Sequence, residues 1–158
     1  MIDEIEDEFC RRVAQQRVAT HASHSSSRPL SSDYEFVGVK GEYALAVRFG
    51  LSLESIKAVR VGGDGHIDFN VAGYSIDVKT ARKPYNLLVE VGVPVADLIV
   101  LGRYTEGCSV DLVGWEYSQT MLLCPTKDFG YGINNYFLSA SNIRPMKTLD
   151  VLLRRVVS

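Results

Sequence analysis

The stretch from His66 to Thr80, HIDFNVAGYSIDVKT, constrains the chain most. Polar and apolar residues alternate on both sides of Ala72-Gly73. This is the period-2 pattern of two half-buried strands joined by a two-residue turn. Counting outward from the turn fixes a register in which Val71 faces Tyr74, Asn70 faces Ser75, Phe69 faces Ile76, Asp68 faces Asp77 and His66 faces Lys79. Side chains two apart share a face. One face then holds Ile67, Phe69, Val71, Tyr74, Ile76 and Val78, a set fit for a core. The other holds His66, Asp68, Asn70, Ser75, Asp77 and Lys79, with no apolar member.

Two carboxylates opposite each other on a hairpin, with β-carbons roughly 5 Å apart, repel. A divalent cation is the simplest compensation, and hard oxygen ligands on a rigid hairpin suit Mg²⁺ or Mn²⁺. Lys79, one pleat beyond Asp77, places a positive charge beside such a metal and any phosphate it binds.

Asp68, with Asp77-Val78-Lys79 after a gap of eight residues, resembles the paired motif of the PD-(D/E)xK nuclease superfamily. Ile67 stands where that family often has Pro. Asp64 competes for the first acidic position, but only Asp68 falls opposite Asp77. The resemblance extends upstream to Gly38-Val-Lys-Gly-Glu-Tyr-Ala. This string is similar to the first motif of small, often phage-encoded, members, in which a helix carries a Glu towards the metal. Here that residue is Glu42. It lies on or beside the inward face set by Leu45 and Ala46, where a carboxylate is costly unless paired or coordinating. The resemblance implies that Glu42, Asp68, Asp77 and Lys79 are catalytic. It also implies that the metal is held by Asp68, Asp77, the Val78 carbonyl and Glu42, directly or through water.

Other features set bounds. At 158 residues the chain is long enough for one compact domain with a real core. Neither a membrane-length apolar run nor a basic signal-like N-terminus is present, so no membrane partner and a cytoplasmic setting are expected. The three cysteines form no zinc pattern and are expected to be reduced packing residues; the iron–sulfur branch of the nuclease family needs four. The net charge of −2 does not favour broad nucleic-acid binding. However, five of the 19 acidic residues lie in the first eight positions, and without them the net charge becomes +3. Arg82 and Lys83, just after the motif, are candidate phosphate contacts, with solubilising surface charge an equal alternative.

In chain order, residues 1–20 read as a helix with Ile5, Phe9, Cys10 and Val13 on its apolar stripe and a solvated acidic start. Residues 21–32 read as a Ser-rich linker containing solvated His21 and His24, leaving the first helix as an arm or a dimerisation element. Residues 33–158 form the nuclease-like domain. Within it, 36–50 is a helix preceded by Gly38 and Gly41, and 51–57 is a short helix capped by Ser52. Residues 85–91, 96–104 and 109–115 are strands, and 116–123 is a short helix. Residues 127–135 are a loop, 136–138 are extended, and a final helix carries Leu149, Val151, Leu152 and Val156. Trp115 is expected to pack rather than stack on bases.

The expected fold is α/β and restriction-endonuclease-like, with a central mixed sheet of four or five strands flanked by helices. The expected activity is metal-dependent endonucleolytic hydrolysis of phosphodiester bonds, with DNA as partner and Mg²⁺ or Mn²⁺ as cofactor. Two alternatives stand beside it: a non-catalytic nucleic-acid- or protein-binding protein on the same scaffold, and a structure-specific nuclease such as a junction resolvase. A homodimer would suit the latter or a double-strand cutter.

Overall fold

The structure, a computed structural model, describes residues 4–20, 33–56 and 67–157. The linker with His21 and His24, and the stretch 57–66 with Asp64 and His66, lie outside the described residues.

The chain runs α1 (Glu4–Thr20), α2 (Tyr34–Phe49), β1 (Phe69–Val71), β2 (Tyr74–Ala81), β3 (Asn86–Glu90), β4 (Leu98–Arg103), β5 (Asp111–Tyr117), α3 (Ser118–Met121), β6 (Thr126–Asp128), β7 (Asn134–Ser139) and α4 (Met146–Val157). Four strands make a mixed sheet in the order β1-β2-β4-β5, antiparallel at both ends and parallel between β2 and β4. The other three make a separate antiparallel sheet, β3-β7-β6.

Cross-strand register sorts the core into two layers. Ile76, Val78, Leu98, Val100 and Trp115 point to one face of the mixed sheet. They pack there against α1 (Cys10, Val13, Ala14), α2 (Val39, Leu45, Ala46) and α4 (Met146, Leu149, Leu153). Ile99 and Leu101 point to the other face and pack with Leu87 and Val89 of β3 and with Met121. The mixed sheet therefore has helices on one side and, on the other, mainly the second sheet together with α3, a three-stranded layer beyond the single central sheet that was expected. The apolar runs of β3 and β4 look alike in sequence, and pattern alone does not say which sheet a strand joins. The expected loop over 127–135 is shorter than read: Lys127 and Asp128 belong to the short strand β6, whose three residues are all exposed and leave no apolar alternation to detect, and Asn134 and Asn135 belong to β7.

The helices correct the sequence reading in two places. Gly38 and Gly41 lie inside α2, not before it. Gly41 is there because α2 meets β2 at that point: a β-carbon on it would stand 1.8 Å from Thr80 Oγ1. On α1, Ile5 is 76% exposed and Glu6 is 4% exposed, so the buried stripe is Glu6, Cys10, Val13, Ala14 and Arg17. The acidic start is not simply solvated. Glu6 and Asp7 both hold the buried Lys40 Nζ of α2 at 2.7 Å. With its apolar stripe in the main core, α1 packs on α2 rather than standing off as an arm. Gly50 ends α2 in the left-handed conformation, its N–H donating to carbonyls of the last turn.

All three cysteines are unpaired. Cys10 sits in the core, and burial pushes its thiol up to about 12. Among the described residues no helix is long and apolar enough to cross a membrane.

Candidate functional site

Of the expected pairs, the three next to the turn form, Phe69 opposite Ile76, Asn70 opposite Ser75 and Val71 opposite Tyr74, and the expected Asp68–Asp77 pair is not part of the ladder. Ala72 and Gly73 both take positive φ, 53° and 86°, as a two-residue turn with both central residues left-handed requires. The ladder stops at Phe69. Beyond it the Asp68 N–H donates to the Ile76 carbonyl at 2.8 Å, and the Asp68 carboxylate turns onto the strand edge and accepts the Val78 N–H at 2.7 Å. The N–H and C=O of one strand residue point to the same edge. The Val78 carbonyl therefore faces the edge that Asp68 occupies.

Asp77 points to the opposite face from Val78. One strand over, its neighbour in the same row is the buried Ile99. The polar face of the hairpin thus abuts an apolar layer, and Asp77 is only 8% exposed. Burial, followed by the charge of Asp68 and a hydrogen bond between the two carboxyl groups, pushes the Asp77 carboxyl up to about 7, against the opposing pull of Lys79. Lys79 Nζ lies 3.0 Å from Asp77 Oδ2 with a third of its side chain exposed. Partial burial works against its charge, but the Asp77 carboxylate holds it protonated above the ordinary lysine range, with Tyr34 and Asp68 adding to the effect.

Glu42 faces inward, as its spacing predicts, and is 3% exposed. Of the two ways to satisfy a buried carboxylate, the structure shows pairing. Arg17 of α1 forks onto it with Nη1–Oε2 at 2.6 Å and Nη2–Oε1 at 2.8 Å. Burial disfavours the Arg17 charge, Glu42 outweighs that, and Asp68 also acts on it electrostatically. Arg17 therefore ties α1 to the inward carboxylate of α2. Sequence reading passed over it because α1 was phased on Ile5; phasing on Cys10 and Val13 would have put Arg17 on the inward face.

Arg82 is exposed and held by the carboxylates of Asp33 and Glu106, so its charge is already compensated. Lys83 is exposed. An open cleft of about 500 Å³ lies elsewhere, lined in part by Arg11, Phe36, Tyr104, Asp33 and Glu106, and contains none of the hairpin residues. Trp115 is buried, and its indole N–H donates to the Pro145 carbonyl and Thr148 hydroxyl.

Among the described residues there is no group of three or more His, Cys, Asp or Glu side chains placed to hold a metal ion. The donors that come together are the carboxyl pair Asp68–Asp77 and the edge bearing the Val78 carbonyl. A hard divalent cation that keeps several of its waters needs only one or two carboxylates. A buried carboxyl that holds its proton beside a second carboxyl group is chemically suited to exchange that proton for such an ion. Comparison with protein-family models, curated proteins and solved structures yields no match.

Proposed function

We propose that this chain is a metal-dependent phosphodiesterase of the PD-(D/E)xK kind, with a restriction-endonuclease-like fold, acting as an endonuclease on DNA. The observation that carries this reading is the convergence of Asp68, Asp77 and Lys79 at one end of the hairpin, with Asp77 buried against a second carboxyl group and an ammonium 3.0 Å away. Perturbed carboxyl pairs beside a cation are characteristic of sites that bind metals or move protons.

Asp68, Asp77 and the Val78 carbonyl would hold a Mg²⁺ or Mn²⁺ ion. When bound, that ion supplies a water of lowered pKa and neutralises phosphate charge. The Lys79 ammonium orients the attacking water and donates to the phosphoryl oxygens as negative charge builds on them. Lys83, exposed after β2, adds a phosphate contact. Arg82 contributes to DNA binding only where a phosphate displaces Asp33 or Glu106.

The test is nicking of supercoiled plasmid in Mn²⁺ or Mg²⁺, with Lys79→Ala beside the wild type and a chelator control. Wild-type cleavage that is abolished by the chelator and lost in Lys79→Ala supports the reading. Equal cleavage by both proteins rejects Lys79 as the group that orients the water and stabilises the phosphoryl charge.

One observation favours a second reading, a non-catalytic nucleic-acid-binding protein on this scaffold: the Glu42 carboxylate is held by an arginine, and among the described residues no third acidic ligand joins the hairpin pair. Binding of Mn²⁺ that depends on Asp77 separates the two, because the binding protein needs none.

A further inference from the structure

We propose that Arg17 is a standing cation that takes the place of a second divalent ion, so that the hairpin binds one metal per chain and Glu42 acts through the arginine rather than as a metal ligand. The inference rests on the metal-binding reading of the hairpin.

Three features of the structure support it. Arg17 arrives from α1, packed on α2, and both of its terminal nitrogens engage both Glu42 oxygens within 2.8 Å. The guanidinium fork matches a carboxylate in plane and takes up the lone pairs a metal would use. Both side chains are more than nine-tenths buried, so the pair is screened little by water. Finally, α2 meets β2 one residue before Glu42, where a β-carbon on Gly41 would stand 3.3 Å from Val78 Cγ1, and the Asp68 charge also favours the Arg17 cation.

Charge balance points the same way. Glu42, Asp68 and Asp77 face Arg17 and Lys79, which leaves one negative charge when all are ionised. One divalent ion turns this into a single positive charge, the complement of a phosphodiester. Two divalent ions would leave an excess of three positive charges in a partly buried site.

The test is calorimetric titration of the full-length chain with Mn²⁺ alone. The expected result is one ion per wild-type chain, with affinity falling at least tenfold in Asp77→Asn and less than threefold in Glu42→Gln. Arg17→Gln, which frees the Glu42 carboxylate, is expected to bind a second ion. Two ions on the wild type, a tenfold loss in Glu42→Gln, or a folded Arg17→Gln protein that still binds one ion would each overturn the inference while leaving the hairpin site intact. If Arg17→Gln does not fold, the comparison of Asp77→Asn with Glu42→Gln decides. A wild type that binds no Mn²⁺ overturns this inference and the metal-dependent reading together, whereas wild-type binding that falls in Asp77→Asn keeps the hairpin site even where Arg17's role fails.

Discussion

Asp77 holds its proton up to about pH 7 because burial beside Ile99 and the closeness of Asp68 both disfavour a second negative charge. In the unfolded chain the same carboxyl ionises near 3.8. Between those two values the folded state binds more protons than the unfolded one, so the metal-free protein loses stability as pH rises from about 4 to 7. Below that window the contribution is fully present, and above it the contribution is gone. Asp77→Asn is expected to flatten this slope and to leave the metal-free protein as stable as the wild type or more so at pH 8, read by thermal melts across pH. A large fall in its melting temperature at pH 8 would count against the paired-carboxyl site. The same proton competes with a metal, so Mn²⁺ affinity is expected to rise up to pH 7 and level off above it. For the buried ion pair, Arg17→Met alone is expected to cost about 3–5 kcal/mol, because it leaves Glu42 buried without its partner. The Arg17→Met, Glu42→Met double variant is expected to recover most of that loss in denaturant unfolding.

At the scale of elements, the hairpin and α2 are held together through Gly41. Replacing Gly by Ala in a helix interior ordinarily gains about 1 kcal/mol. Here the added methyl meets Thr80 Oγ1 at 1.8 Å, and Thr80 is held in the ladder with β4 opposite Gly102. Overpacking of this kind costs about 1–3 kcal/mol. Gly41→Ala is therefore expected to lower stability, and Thr80→Ala in the same chain is expected to restore part of it. Both are readable from unfolding midpoints. The failed phasing of α1 belongs to this scale too. Its buried face carries Glu6 and Arg17 at its ends, so hydrophobic periodicity selected the exposed Ile5 in place of Glu6. The sequence sets Gly41 ahead of the helix for a related reason: a helix glycine is legible as a contact point only once the strand it touches is known.

At the scale of the whole molecule, α1 is part of the core despite the linker that separates it in sequence. Cys10, Val13 and Ala14 pack with α2, and Lys40 depends on Glu6 and Asp7 for its charge. Deleting residues 1–20 would expose that layer and strand a buried ammonium. The truncated protein is expected to lose its near-ultraviolet circular dichroism and unfold without a cooperative transition. A folded truncation would instead make α1 the independent arm that the linker suggested. The sequence by itself determined the hairpin, its turn and the three cross-strand pairs next to it. These are local, set by period-2 alternation and by two residues that accept positive φ. It also marked Glu42 as an inward carboxylate in need of a partner. Only the tertiary structure decided what that partner is, which sheet each later strand joins, and how strongly Asp77 holds its proton. Those outcomes depend on residues far apart in the chain, Arg17 with Glu42 and Ile99 with Asp77, whose energies come from burial and a low local dielectric that no local pattern encodes.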